Sequence, residues 1–152
     1  MIAILYKSST NRCVLFAGDT LFTLDQLAKS PIPFLTNPKD FLSSLEKLSA
    51  IPNIDCYIPS HGTFITKDVS KTITANKEAI YSVKNLLLET IGDEKKGTEQ
   101  IVKEISDKMH LRLTLAQYGL VNCTLKSYLS IMHDEGEIKM KIVDNVLLWF
   151  KN

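Results

Sequence analysis

The sequence has few cysteines, few histidines and no long hydrophobic run. Three cysteines in 152 residues, an odd number at no repeating interval, predict neither a disulfide framework nor a Cys-x-x-Cys zinc site. No apolar run approaches the roughly 20 residues that a membrane-spanning helix needs. The N-terminus has no basic leader and no small-residue cleavage site. We therefore expect a cytoplasmic protein that makes no contact with a membrane.

An excess of charge of one sign is also lacking. The chain has 18 Lys and Arg residues and 17 Asp and Glu residues, which gives a net charge of +1. A polyanion-binding protein instead gathers its Lys and Arg on one face or segment. The hydrophobic fraction of 45% and the charged fraction of 23% are those of an ordinary globular protein. The length predicts one domain of ordinary size or two small units.

The first part of the chain predicts three strands and one helix. The strands are expected over residues 2–7, 13–18 and 54–58, and the helix from Pro38, with Asn37 as its N-cap, to before Pro52. The second strand is a nearly continuous apolar run, which predicts burial on both of its faces. The chain starts almost inside the first strand, so we expect the beginning of a larger domain to be missing.

The pattern becomes helical in the second part of the chain. Helices are expected over residues 72–91, from Thr98 onward and over residues 114–134, followed by two strands around Asp144-Asn145. Two helices and a terminal hairpin form a small winged-helix-like unit. The sequence therefore predicts a domain over residues 1–71 and a second domain over residues 72–152.

A winged unit suggests DNA binding, but the last predicted helix does not have the composition for it. Between positions 113 and 132 the one charged side chain is Lys126, whereas a recognition helix offers Arg and Lys to phosphates. A helix that is apolar around much of its circumference belongs in a core or an interface. We therefore expect this chain alone not to bind nucleic acid.

Two predicted strands end on a polar residue beside a glycine. The run before Gly18 ends on Asp19, and the third strand stops at Pro59-Ser60-His61-Gly62. Asp19 alone is a common turn former, and His61 alone is a surface histidine in a Pro/Gly loop. The alternative is that neighbouring strands bring a carboxylate and an imidazole, both common metal ligands, to one site.

These two stretches, LFAGDTLF (15–22) and YIPSHG (57–62), together resemble the second half of the metallo-β-lactamase superfamily fold. The resemblance implies that Asp19 bridges two zinc ions and that His61 binds the second of them. It implies a mixed α/β fold class, in which the second half of an αββα sandwich precedes a winged-helix-like C-terminal unit of the lactamase-B2-like branch. Glycine beside each ligand allows the backbone to turn sharply near the metal.

The sequence departs from this family in its metal ligands. The His-x-His-x-Asp-His cluster of the family's first half is absent, and His110 and His133 lie in the helical region without ligand spacing. Cys56 precedes His61 by five positions, but its place inside an apolar strand favours a small buried hydrophobe. Because a catalytic zinc normally has three protein ligands, Asp19 and His61 make half of an active site.

Three accounts of the function remain. In the first, the chain is the incomplete part of a hydrolase, inactive alone. Its complete relatives use metal-activated water against an ester, thioester or phosphodiester, and its partner is the missing N-terminal half. In the second, the apolar helices form a non-catalytic assembly module that binds a partner or another copy of the chain. The third account, a winged-helix nucleic-acid binder, is opposed by the charge balance.

Overall fold

The computed structural model describes residues 2–66 and 68–151, which form a mixed α/β fold. The elements are β1 (Ile4–Lys7), β2 (Cys13–Gly18), α1 (Leu24–Lys29), α2 (Pro38–Ser49), β3 (Cys56–Pro59), α3 (Val69–Ile91), β4 (Lys96–Gly97), α4 (Thr98–Lys108), α5 (Leu115–Asp134), β5 (Lys139–Val143) and β6 (Val146–Phe150). The predicted strands and helices are all present, and the predicted starts of α2 and α4 are confirmed. α1 and β4 were not predicted.

The chain divides into two compact units. Unit 1 comprises Met1–Pro31 and Lys39–Ile80, and unit 2 comprises Ile32–Pro38 and Tyr81–Asn152. α3 contributes its first part to unit 1 and its last part to unit 2. The domain boundary after residue 71 stays a prediction.

Unit 1 contains a three-stranded sheet in the order β1-β2-β3. β1 pairs antiparallel to β2, and β2 pairs parallel to β3. The hairpin between β1 and β2 turns at Asn11, which has a φ of 60°. On the other side of β3, Tyr57 exchanges backbone hydrogen bonds of 2.9 and 2.8 Å with Ile65. Since parallel strands run in the same direction, the carboxyl ends of β2 and β3 share one edge of the sheet.

One face of this sheet is apolar and exposed. Ile4 lies opposite Phe16 in the register of β1 and β2, and Tyr6 lies opposite Val14, so all four point to the same face. Ile4 is 61% exposed, Tyr6 56% and Phe16 45%. The prediction that β2 is buried on both faces is therefore wrong, because only its Leu15 face packs into the core. We call this surface of Ile4, Tyr6, Val14 and Phe16 the open face.

Helices α1 and α2 and the start of α3 complete unit 1. Thr23 caps α1 by accepting a hydrogen bond from the Gln26 amide. α2 buries Phe41, Leu45 and Leu48, which recur at helical spacing. The Phe41 ring stacks on Phe22 with ring centroids 5.6 Å apart. The loop that follows Asp19 is thereby part of the core of unit 1.

Unit 2 contains α4, α5 and a three-stranded sheet in the order β4-β6-β5. Trp149 of β6 is buried and donates its indole N–H to the hydroxyl of Thr98 at 2.9 Å. α5 begins with a capping box between Thr114 and Gln117. Its side chains at positions 115–120 are exposed, whereas apolar residues between 121 and 132 fill the core.

The length and the apolar character of the helices decide whether any of them could cross a membrane. Within residues 2–66 and 68–151, none of them combines the length and the apolar character that a bilayer crossing needs.

Candidate metal centre

Asp19 and His61 lie side by side at the carboxyl edge of the unit 1 sheet. Asp19 directly follows β2, and His61 follows the last residue of β3 by two positions. The His61 Nε2 atom is 3.8 Å from Asp19 Oδ1, and the two side chains are 67% and 55% exposed. The structure thus brings together the two residues that the sequence predicted as metal ligands, while their role as ligands stays a prediction.

The ends of the two strands are tied together by their backbones. The Ser60 N–H donates to the Gly18 carbonyl at 3.0 Å, just before His61 on one strand and Asp19 on the other. The pairing of β2 with β3 shifts register between Phe16 and Gly18. Gly18 has a φ of +58°, a conformation that glycine adopts without steric cost. This irregularity turns the chain so that Asp19 leaves the ladder toward His61.

A second contact joins the loop after Asp19 to the loop that carries His61. Gly62 has a φ of +90°, and a Cβ atom at this position would lie 2.6 Å from Thr23 Oγ1 and 2.8 Å from Thr23 Cγ2. Such approaches are far inside van der Waals contact, so any larger residue here would force Thr23 or the backbone to move. The Thr23 hydroxyl is also engaged as the cap of α1.

The distance between the two side chains suits two ligands of one zinc ion. Zn–N and Zn–O bonds of about 2.0–2.2 Å in tetrahedral geometry place two donor atoms about 3.4 Å apart. The observed 3.8 Å needs an adjustment of about half an ångström, which exposed side chains make through small rotations. The carboxylate and the imidazole therefore fit the metal as a pair.

The described part of the chain does not supply a third ligand. No group of three or more His, Cys, Asp or Glu side chains in it is arranged to hold a metal ion. Cys56 is half-buried in β3, and its sulfur lies 3.9 Å from the Tyr57 carbonyl oxygen. His133 lies in unit 2, where its ring contacts Trp149 edge-on. Within the described residues, Asp19 and His61 are thus the two candidate ligands at this position.

Sequence reasoning missed a buried polar residue that holds this loop. Asn76 of α3 is 1% exposed. Its carbonyl oxygen accepts from the Phe22 N–H at 3.0 Å, and its amide donates to the Phe22 carbonyl at 2.7 Å. The two residues are 54 positions apart, and no local spacing signals such a contact.

Unit 2 holds a separate surface cavity of about 830 Å³ along α5. Its lining includes Tyr118, Asn122 and Ser127, and its charged members are Lys126 and Asp134. One cation balanced by one acid is not the basic surface that binds nucleic acid.

Comparison with solved structures identifies the fold. The chain is similar to a β-lactamase domain protein from Burkholderia ambifaria, with a TM-score of 0.65 and 17% identity over 97% of this chain and 44% of that one. It is also similar to a metallo-β-lactamase family protein from Thermus thermophilus, with a TM-score of 0.66 and 21% identity over 91% and 42% of the two chains. No family model and no curated protein matches the sequence.

These similarities confirm the predicted fold class. The chain has the fold of one part of a metallo-β-lactamase protein and spans less than half the length of the two solved chains.

Proposed function

We propose that this chain supplies the Asp19–His61 half of a metal-dependent hydrolase site of the metallo-β-lactamase type. The observation that carries the proposal is the 3.8 Å separation of a carboxylate oxygen and an imidazole nitrogen at the shared end of two parallel strands. The matched structures, a β-lactamase domain protein and a metallo-β-lactamase family protein, support it. Zinc is the metal that this donor pair suits.

The residues of this chain have defined roles in such a site. Zinc held by Asp19, His61 and further ligands would supply a water of lowered pKa and would polarise the scissile ester, thioester or phosphodiester group. Asp19 contributes a negative charge that offsets the charge of the cations. His61 would contribute an imidazole nitrogen as a ligand. The exposure of both side chains leaves room for a substrate and for further ligands.

The remaining ligands have to come from polypeptide outside this sequence. A catalytic zinc site has three protein ligands, and the described residues offer two at this position. The open face is where we expect the completing segment to dock, because an exposed apolar sheet face at an edge strand invites another polypeptide. The solved neighbours are more than twice the length of the part matched here, which supports a partner that carries the other half of the fold.

Metal analysis of purified protein tests this function. Because two ligands hold zinc less tightly than a complete site does, we expect wild-type protein to bind zinc weakly in an equilibrium titration, and Asp19→Ala and His61→Ala each to bind it more weakly still. Asp25→Ala and His110→Ala remove an exposed acid and a histidine outside the pair, so they serve as matched controls that keep the metal. Equal zinc affinity in all five proteins, or no zinc binding by the wild type in this titration, would refute the proposal.

A second candidate function is assembly through unit 2, whose winged-helix-like character is also proposed. The order β4, α4, α5, β5, β6, with β6 between the other two strands, supports a winged unit. Leu115, at the start of α5, is 91% exposed, and Leu120 is 49% exposed. Isolated leucines are normal on surfaces, but Leu115 shares a helix face with Tyr118, three positions later and 39% exposed, and such a pair favours contact with another copy of the chain. A mass that rises with protein concentration would support assembly.

A further inference from the structure

Residues 20–23 form a buried segment that connects the two proposed ligands. The segment follows Asp19 directly, and each of its four side chains is at most 9% exposed. It begins with a turn in which the Thr20 N–H donates to the Ala17 carbonyl at 3.2 Å. The backbone that follows an exposed carboxylate is thus held in the core of unit 1.

Asn76 anchors this segment to α3 through two hydrogen bonds, and a third, within α3, holds the Asn76 side chain in place. Its side chain pairs with both backbone groups of Phe22, at 3.0 and 2.7 Å, and donates to the Thr72 carbonyl at 2.8 Å. A primary amide offers one acceptor and two donor hydrogens, and all three functions are used here. When every donor and acceptor of a buried side chain is hydrogen-bonded, the side chain favours one arrangement of the chain. Any other arrangement would leave buried polar atoms unpaired.

The anchored segment in turn sets the position of the His61 loop. Thr23 follows Phe22 and packs so closely against Gly62 that a Cβ atom at position 62 would displace it. Asn76 therefore acts through a chain of contacts that runs from Phe22 to Thr23 and then to Gly62, which adjoins His61. The same chain of contacts leads back to Asp19 through the turn at Thr20.

We propose that Asn76 is a positioning residue, which holds the 20–23 segment so that Asp19 and His61 stay within reach of one metal ion. The role of the pair rests on the function proposed above, whereas the geometry of the two loops does not. Loss of Asn76 would let the 20–23 segment move away from Gly62 while the sheet itself stays formed.

Solution NMR of the full chain tests the proposal without metal. The first readout is the nuclear Overhauser contact between the Thr23 methyl group and the Gly62 α protons. We expect Asn76→Ala to weaken this contact about threefold or more. The second readout is exchange of the Phe22 amide, which should accelerate about tenfold beyond any change in the amides of α2. Ile73→Ala, which removes buried apolar contact from the same helix, is the control for a general loss of stability and should leave the Overhauser contact unchanged.

A second variant tests the proposal even if Asn76→Ala does not fold. Asn76→Asp retains the acceptor for the Phe22 N–H and loses both donors, so it should weaken the contact even if Asn76→Ala does not fold. An unchanged Overhauser contact in a folded Asn76 variant, or an equal loss in Ile73→Ala, would overturn the proposal. The metal content of Asp19→Ala and His61→Ala is judged separately: a weakened contact in a protein that binds no metal supports the positioning and refutes only the proposed function.

Discussion

Replacing Gly62 by alanine tests whether the two loops of the candidate centre are locked together. The change introduces a Cβ atom 2.6 Å from Thr23 Oγ1, at a φ of +90°. The backbone alone accounts for about 1–2 kcal/mol of destabilisation, since L residues avoid this region. The overlap with Thr23 adds about 1–3 kcal/mol, because overpacking of a close contact forces side chains or backbone to move.

Gly136 offers a matched control for the backbone strain that an alanine at a positive φ introduces. It has a φ of +76°, and nothing lies within 4 Å of a Cβ atom built there. Gly136→Ala should therefore cost about 1–2 kcal/mol, and Gly62→Ala should cost about 3 kcal/mol. Urea unfolding followed by far-ultraviolet circular dichroism measures both changes in the free energy of unfolding.

Thr23→Ala separates the overlap from any other effect of the Gly62 substitution. By itself this change removes the cap of α1 and should destabilise by about 1 kcal/mol. It leaves the Thr23 Cβ atom 3.3 Å from the new methyl group, so most of the overlap disappears. The double variant should then be more stable than the sum of the single changes predicts, by about 1 kcal/mol or more. Equal costs for Gly62→Ala and Gly136→Ala, or strict additivity with Thr23→Ala, would refute the idea that this contact fixes the loops.

Two further predictions concern unit 2. Burial alone would lower the pKa of Lys84, but its 2.7 Å hydrogen bond to Glu137 and the charge of nearby Glu135 raise the pKa above its ordinary value of 10.5. Lys84→Met should therefore destabilise the protein by about 1 kcal/mol at pH 7. The difference in free energy of unfolding between the wild type and Lys84→Met should shrink as the pH rises through the raised pKa, because Lys84 then loses its charge. A difference that stays constant between pH 7 and 11 in urea unfolding would contradict this explanation. For assembly, Leu115→Ser should abolish a concentration-dependent mass in sedimentation, whereas Leu24→Ser in α1 should not, and an unchanged mass in both would exclude this surface.

Much of the fold could be predicted from local signals in the sequence. Pro38 begins α2 and Thr114 caps α5, because each satisfies or removes donors at a helix N-terminus. The two-residue turn at Asp144-Asn145 has φ values of 49° and 64°, which suit a tight hairpin. These features depend on residues within a few positions of one another, and a sequence displays them directly.

The features that the sequence did not reveal depend on distant contacts. An apolar run such as β2 is compatible with burial on one face or on two, and the exposure of Phe16 is decided by what packs on the sheet. α1 is a six-residue helix that buries none of its residues. Its sequence therefore has no apolar periodicity from which a helix could be predicted. In the sequence Asn76 is an ordinary polar residue of a helix, and its role depends on its contact with Phe22, 54 positions away.

The candidate centre combines both kinds of information. Glycine next to Asp19 and to His61 could be found along the sequence, and parallel pairing of β2 with β3 accounts for their common edge. Their separation within one metal's reach depends instead on the 20–23 segment, whose contacts with Asn76 and Gly62 lie in the interior of unit 1. On the function proposed above, completing the site requires ligands from another polypeptide, which would dock beside two loops that these contacts already hold together.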